Sequence, residues 1–198
     1  THHTLLNEEM KRLFDAFPKS AHPMAILASA TNAMATFYPD FHNPRDPYAV
    51  EQSALRLIAK LPTVAALAYK KSIGQPYIYP RNDLDYATNF MHMMFALPVE
   101  DYQVDPVVAR ALDVLLILHA DHEQSCSSST SRMVTSRGAN LCAPLSAAIC
   151  ALGGSPHGGA FLDIATRRDP AFIKKKLPSM YHQFKELANV DITTEAME

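Results

Sequence analysis

The chain has 198 residues, 48% of them apolar and 19% charged, with a net charge of −2. That balance describes a globular domain with a sizeable core and excludes a disordered chain. Lysines and arginines are spread along the sequence, so there is no basic footprint for nucleic acid or for an anionic membrane surface. No apolar run approaches the ~20 residues of a membrane helix. The opening "THHTLLNEEMKRLF" lacks the apolar block of a secretory leader and starts abruptly at a helix beginning, as a piece of a longer protein would. Cys126, Cys142 and Cys150 are an odd set with no CxxC pair, and they read as reduced thiols in a cytosol-like compartment.

Six glycines and fourteen prolines punctuate runs with helical spacing and little alternation. Thr4 is placed to cap a helix through about Phe17, with Leu5, Leu6, Met10, Leu13, Phe14 and Phe17 on one face. Pro23 opens an Ala/Met-rich helix ending near Tyr38, and "YPDFHNPRDP" reads as a proline-broken loop. Residues 47–60 form an amphipathic helix. Pro62 opens the next, which Gly74 stops. "GQPYIYPRND" is a loop, and "LDYATNFMHMMFA" is a helix with a Met and aromatic face. Asp105 and Pro106 start a helix that runs into "ILHADHEQSC"; a serine-rich turn follows, then an Ala-rich helix over about 139–152. With no repeat and no βαβ rhythm, the expected class is all-α.

Two stretches carry chemistry. In "ILHADHEQSC" (117–126), His119, Asp121, His122 and Glu123 crowd the end of the apolar run "ALDVLLIL". His119 and His122 share a face if the helix continues that far. A metal site, a polar cap on a buried helix end and an acid–base or anion site are all open to these residues. Without HExxH or a distant Cys/His pair at ligand spacing, metal is the weakest of the three. In "GGSPHGGA" (153–160), His157 lies between glycine pairs that let backbone approach a ligand closely, while Pro156 restrains the approach to the histidine. A glycine helix stop with a surface histidine is the plainer alternative. Neither GK[ST] nor GxGxxG is present.

"LHADHEQSCSSSTSRMVTSRGANLCAPLSAAICALGGSPHGGA" strongly resembles the citrate synthase family, as do "HPMAILASATNAMATFYPD", "LPTVAALAYKKSIGQPYIYPRNDLDYATNFMHMMF" and "HHTLLNEEMKRLFDAF". The resemblance runs from Thr1 to Ala160 and is nearest to the bacterial hexameric type; methylcitrate synthases share the motifs. It implies an α-helical large domain over 1–160, with a small-domain remnant over 161–198. It implies Claisen-type condensation of acetyl-CoA with oxaloacetate to citrate and CoA, an acyltransferase step of the tricarboxylic acid cycle that needs no metal and no bound cofactor. His122 matches the histidine that hydrogen-bonds oxaloacetate, and His157 the one that holds the thioester oxygen while the methyl group is deprotonated. Charge building on that oxygen needs a pre-placed donor. The resemblance further implies an allosteric NADH site at His3, Thr4, Tyr38, Arg56 and Lys60, although Leu5 and Val99 stand where methionine and cysteine are expected. Arg56 and Lys60, one helical turn apart, fit a pyrophosphate, or else simply a solvated face. A cytoplasmic homodimer or hexamer of dimers is implied, with the 139–152 helix in the dimer interface and no nucleic-acid or membrane partner.

After Phe161 the family pattern fails. The asparagine expected after HGGA and the GHRVY segment with a second catalytic histidine are absent. If "RRDPAFIKKKLPSM" matches the DPRA helix, Ala171 replaces a substrate-binding arginine; if it matches the later segment before NVD, Asp191 is a doubtful remnant of the catalytic aspartate. His182 has no motif behind it. A base positioned for proton abstraction contributes ~10² to 10⁴-fold, so its loss leaves little turnover. Two readings follow: an incomplete citrate synthase, or a catalytically inactive remnant kept as an oligomerising or ligand-binding module.

Overall fold

The computed structural model describes residues 3–38, 43–120 and 125–153, and in these every regular element is an α-helix. The helices are α1 (Glu9–Ala16), α2 (Pro23–Phe37), α3 (Pro47–Ile73), α4 (Tyr86–Phe95), α5 (Pro106–Ala120), α6 (Cys126–Thr135) and α7 (Cys142–Gly153). The all-α expectation holds for these residues. His122, His157, Ala171, His182, Asp191 and the whole 161–198 segment lie outside them.

Three boundaries differ from the sequence reading. Thr4 does not cap a helix: α1 begins only at Glu9, and residues 4–7 are irregular. The Thr4 carbonyl is taken by a tertiary partner, the Thr63 hydroxyl at 2.8 Å, which removes the local capping geometry. Pro62 does not divide two helices but lies inside α3, which runs unbroken for 27 residues. A proline there leaves the carbonyl four residues earlier, that of Ile58, without its helical donor, and the Tyr86 hydroxyl takes its place at 3.1 Å. The serine-rich stretch is helix α6, not a turn. Its hydroxyls satisfy the preceding turn, as Thr130 does to the Cys126 carbonyl and Thr135 to the Ser131 carbonyl, both at 2.8 Å.

Other boundaries follow the predicted chemistry. Asp46 accepts from the Tyr48 amide at 3.0 Å with Pro47 next to it, and Gly74 closes α3 in the left-handed region at φ 71°. Asp85 caps α4 through the Thr88 amide and hydroxyl, both at 2.8 Å. The core joins Leu6 to Met10 and Phe14 of α1, Ile26, Ala30 and Met34 of α2, Leu57, Val64 and Leu67 of α3, and Cys142 of α7. α2 lies between α3 and α7, α6 pairs with α7, and α4 joins α3 to α5. Alanine and serine on α2 and α7 permit close approach, and Ser146 donates to the Ala28 carbonyl at 2.8 Å across that contact. Leu5, placed on the apolar face by its spacing, is instead half exposed.

Candidate functional site

α5 carries the apolar run to Ala120, immediately before the 121–124 stretch with His122. α7 ends at Gly153, immediately before the segment with His157. Among the described residues no group of three or more His, Cys, Asp and Glu is placed to hold a metal.

The second predicted cluster is fully described. Lys60 lies at the middle of the 27-residue α3 and is only 4% exposed. Its ammonium donates to the His3 carbonyl at 2.8 Å and the Leu5 carbonyl at 2.5 Å, and it lies 4.7 Å from the centre of the Tyr38 ring. One turn further along α3, Thr63 holds the Thr4 carbonyl. The Tyr38 hydroxyl accepts from the Asn7 amide at 2.8 Å. His3, Thr4, Tyr38 and Lys60 are therefore brought together, two of them through backbone carbonyls.

The electrostatics follow from this burial. Desolvation first, and the Arg56 charge second, lower the Lys60 ammonium to about 8. Burial raises the Tyr38 phenol, against the bond from the Asn7 amide. Among the described residues the hydrogen-bond partners of the Lys60 ammonium are two neutral carbonyls. The solvated-face alternative for the basic pair fails at Lys60, because residues 3–5 cover it. Leu5 and Val99, the positions that depart from the family pattern, are both exposed. Sequence reasoning missed Thr63 and Asn7; the signal for Thr63 was its i,i+3 spacing from Lys60 on one helix face.

The citrate synthase C-terminal domain model matches residues 1–166, a span that includes both motif histidines. The chain belongs to the citrate synthase family. Citrate synthase 1 of Mycobacterium tuberculosis (strain CDC 1551 / Oshkosh) is 56% identical over 158 residues, which is 80% of this chain and 37% of that protein. The crystal structure of citrate synthase from Pyrobaculum aerophilum superposes with a TM-score of 0.71 at 32% identity, over 80% of this chain and 40% of that one. Citrate synthase from Thermotoga maritima gives 0.64 at 22% identity, over 91% and 47%, and supports the fold alone. This citrate synthase-family chain thus spans less than half the length of these relatives. No helix among its described residues is long and apolar enough to cross a membrane.

Proposed function

We propose that this chain is part of a citrate synthase, an acyltransferase that condenses acetyl-CoA with oxaloacetate to give citrate and CoA. The observation that carries the reading is the family match over residues 1–166, which takes in both "HADH" and "PHGGA". In this reading His122 hydrogen-bonds oxaloacetate and His157 donates to the thioester oxygen. A base removes a methyl proton, and the enol carbon attacks the ketone carbon of oxaloacetate. Water then cleaves the resulting thioester to release citrate and CoA. A donor placed for charge on the thioester oxygen is worth on the order of 10² to 10³ in rate. The test is CoA thiol release from acetyl-CoA and oxaloacetate, with His157→Ala as control; turnover that survives the substitution contradicts the assignment.

The competing reading is an inactive remnant serving as an oligomerising or ligand-binding module. Substrate binding by calorimetry without thiol release supports it.

The cluster at His3, Thr4, Tyr38, Arg56 and Lys60 is proposed as an allosteric NADH site. Support comes from the proximity of the Arg56 and Lys60 charges and the Tyr38 ring beside them. Arg56→Ala is expected to weaken NADH binding, measured by nicotinamide fluorescence, at least tenfold. The α7 helix is proposed as a homodimer interface in a cytoplasmic oligomer; sedimentation showing only monomer contradicts it.

A further inference from the structure

We infer that residues 3–7 form a strap whose docking on α3 is coupled to the proton on Lys60, tightening as that proton leaves. The strap shares His3, Thr4, Tyr38 and Lys60 with the nucleotide reading but does not depend on it. The strap is fastened at four points: Lys60 to the His3 and Leu5 carbonyls, Thr63 to the Thr4 carbonyl, and the Asn7 amide to the Tyr38 hydroxyl. Leu6 anchors it, in the same core cluster as Met10.

Docking takes the Lys60 ammonium out of water and returns two neutral carbonyls and an aromatic face. Among the described residues no carboxylate is a hydrogen-bond partner of that ammonium. Carbonyls replace water incompletely for a full charge. Arg56, one turn earlier on α3, adds repulsion. From the end of α2 the Tyr38 phenol, raised by burial, stays neutral through the relevant range, and His3 presents its carbonyl. A neutral amine retains two N–H donors, enough for both carbonyls. Thr63 and Asn7 bind the same whether Lys60 is charged or not. Loss of the proton therefore removes the desolvation penalty and keeps the fastenings.

The direction follows from linkage. With the strap lifted Lys60 has the ordinary value of ~10.4, and with it docked about 8. The open form binds more protons between those values, so rising pH favours the docked form, by at most about tenfold per pH unit.

The test uses the full chain and reads strap opening by methionine oxidation. Met10 is fully buried beside Leu6, and Met133 is 68% exposed. The peroxide oxidation rate of Met10 relative to Met133, followed by peptide mass spectrometry, cancels the pH dependence of the reagent. The expected ratio falls about tenfold between pH 8 and 9.5 in the parent chain and is flat in Lys60→Met. A ratio that is flat or rising in the parent, or that falls equally in Lys60→Met, overturns the inference. A second reading needs no variant: the ¹³Cε resonance of Lys60 is expected to titrate near 8, and a midpoint at the ordinary lysine value overturns it as well.

Discussion

The Tyr86 hydroxyl donates to the Ile58 carbonyl at 3.1 Å, and that carbonyl is the one Pro62 leaves without a helical donor. A side chain from α4 thereby repairs the interior of α3 and lets it run unbroken for 27 residues. Tyr86→Phe is expected to cost about 1 kcal/mol in urea unfolding, a typical net hydrogen-bond contribution. Ile58 is exposed, so water partly replaces the lost donor. Restoring the amide with Pro62→Ala should shrink the Tyr86→Phe effect to a few tenths of a kcal/mol, which a double-mutant cycle measures. Equal costs in both backgrounds would mean that the hydroxyl is not substituting for the missing amide.

This relationship shows where the sequence was legible and where it was not. Caps and stops made from one residue and its neighbours, such as Asp46 with Pro47, Asp85 and Gly74, could be read locally because their chemistry is local. Pro62 could not, since its rescue comes from Tyr86, 24 residues beyond Pro62 along the chain. The Thr4 carbonyl and the buried Lys60 were hidden for the same reason: their partners are Thr63 and the 3–5 segment. The family motifs made His122 and His157 legible as candidates, while their geometry falls outside the described residues.

Lys70 makes a second long-range fastening. Its side chain is fully buried, and its ammonium donates to the Gln75 side-chain oxygen and the Ala96 carbonyl, both at 2.8 Å. Lys70 lies in the last turn of α3, and Ala96 is the C-cap of α4, so the charge faces the negative ends of two helices. Burial nonetheless lowers its affinity for a proton. Lys70→Met is expected to destabilise the chain by about 2–3 kcal/mol, because it strands a buried carbonyl. A cost below ~0.5 kcal/mol in thermal or urea unfolding would show that water reaches Ala96.

Tyr77 sets an alkaline limit. Burial first, then the charge of Asp15 and the bond to its carboxylate at 3.3 Å, push the phenol up to about 12. The unfolded chain releases this proton at ~10. Its stabilising contribution is thus complete below pH ~10 and is lost as pH rises through about 12. Unfolding free energy measured between pH 10 and 12 should fall more steeply in the parent than in Tyr77→Phe. Parallel slopes in the two proteins would count against the assignment.

The three cysteines should separate by accessibility. Cys126 and Cys150 are exposed, while Cys142 is fully buried in the α2–α7 contact, where burial raises its thiol to about 11. The thiolate is the reactive form. At pH 7.5 an aromatic disulfide reagent is expected to label Cys126 and Cys150 rapidly, and Cys142 only in denaturant, as counted by mass spectrometry. Rapid labelling of Cys142 in the folded chain would mean that α7 separates readily from α2.

Thr31 offers the converse of these satisfied groups. It is fully buried on α2, and among the described residues its hydroxyl has no hydrogen-bond partner. The usual helical escape for a threonine hydroxyl, a bond back to a carbonyl in the preceding turn, is made by Thr36 to Ala33 at 2.7 Å but not by Thr31. A buried hydroxyl left unpaired carries a desolvation penalty of about 1–3 kcal/mol, and valine has almost the same shape without it. Thr31→Val is therefore expected to stabilise the chain by about 1 kcal/mol in urea unfolding. Thr31→Ala is expected to destabilise it, because the lost methyl leaves a cavity at a fully buried position of α2. Destabilisation by valine would show that the hydroxyl has a partner.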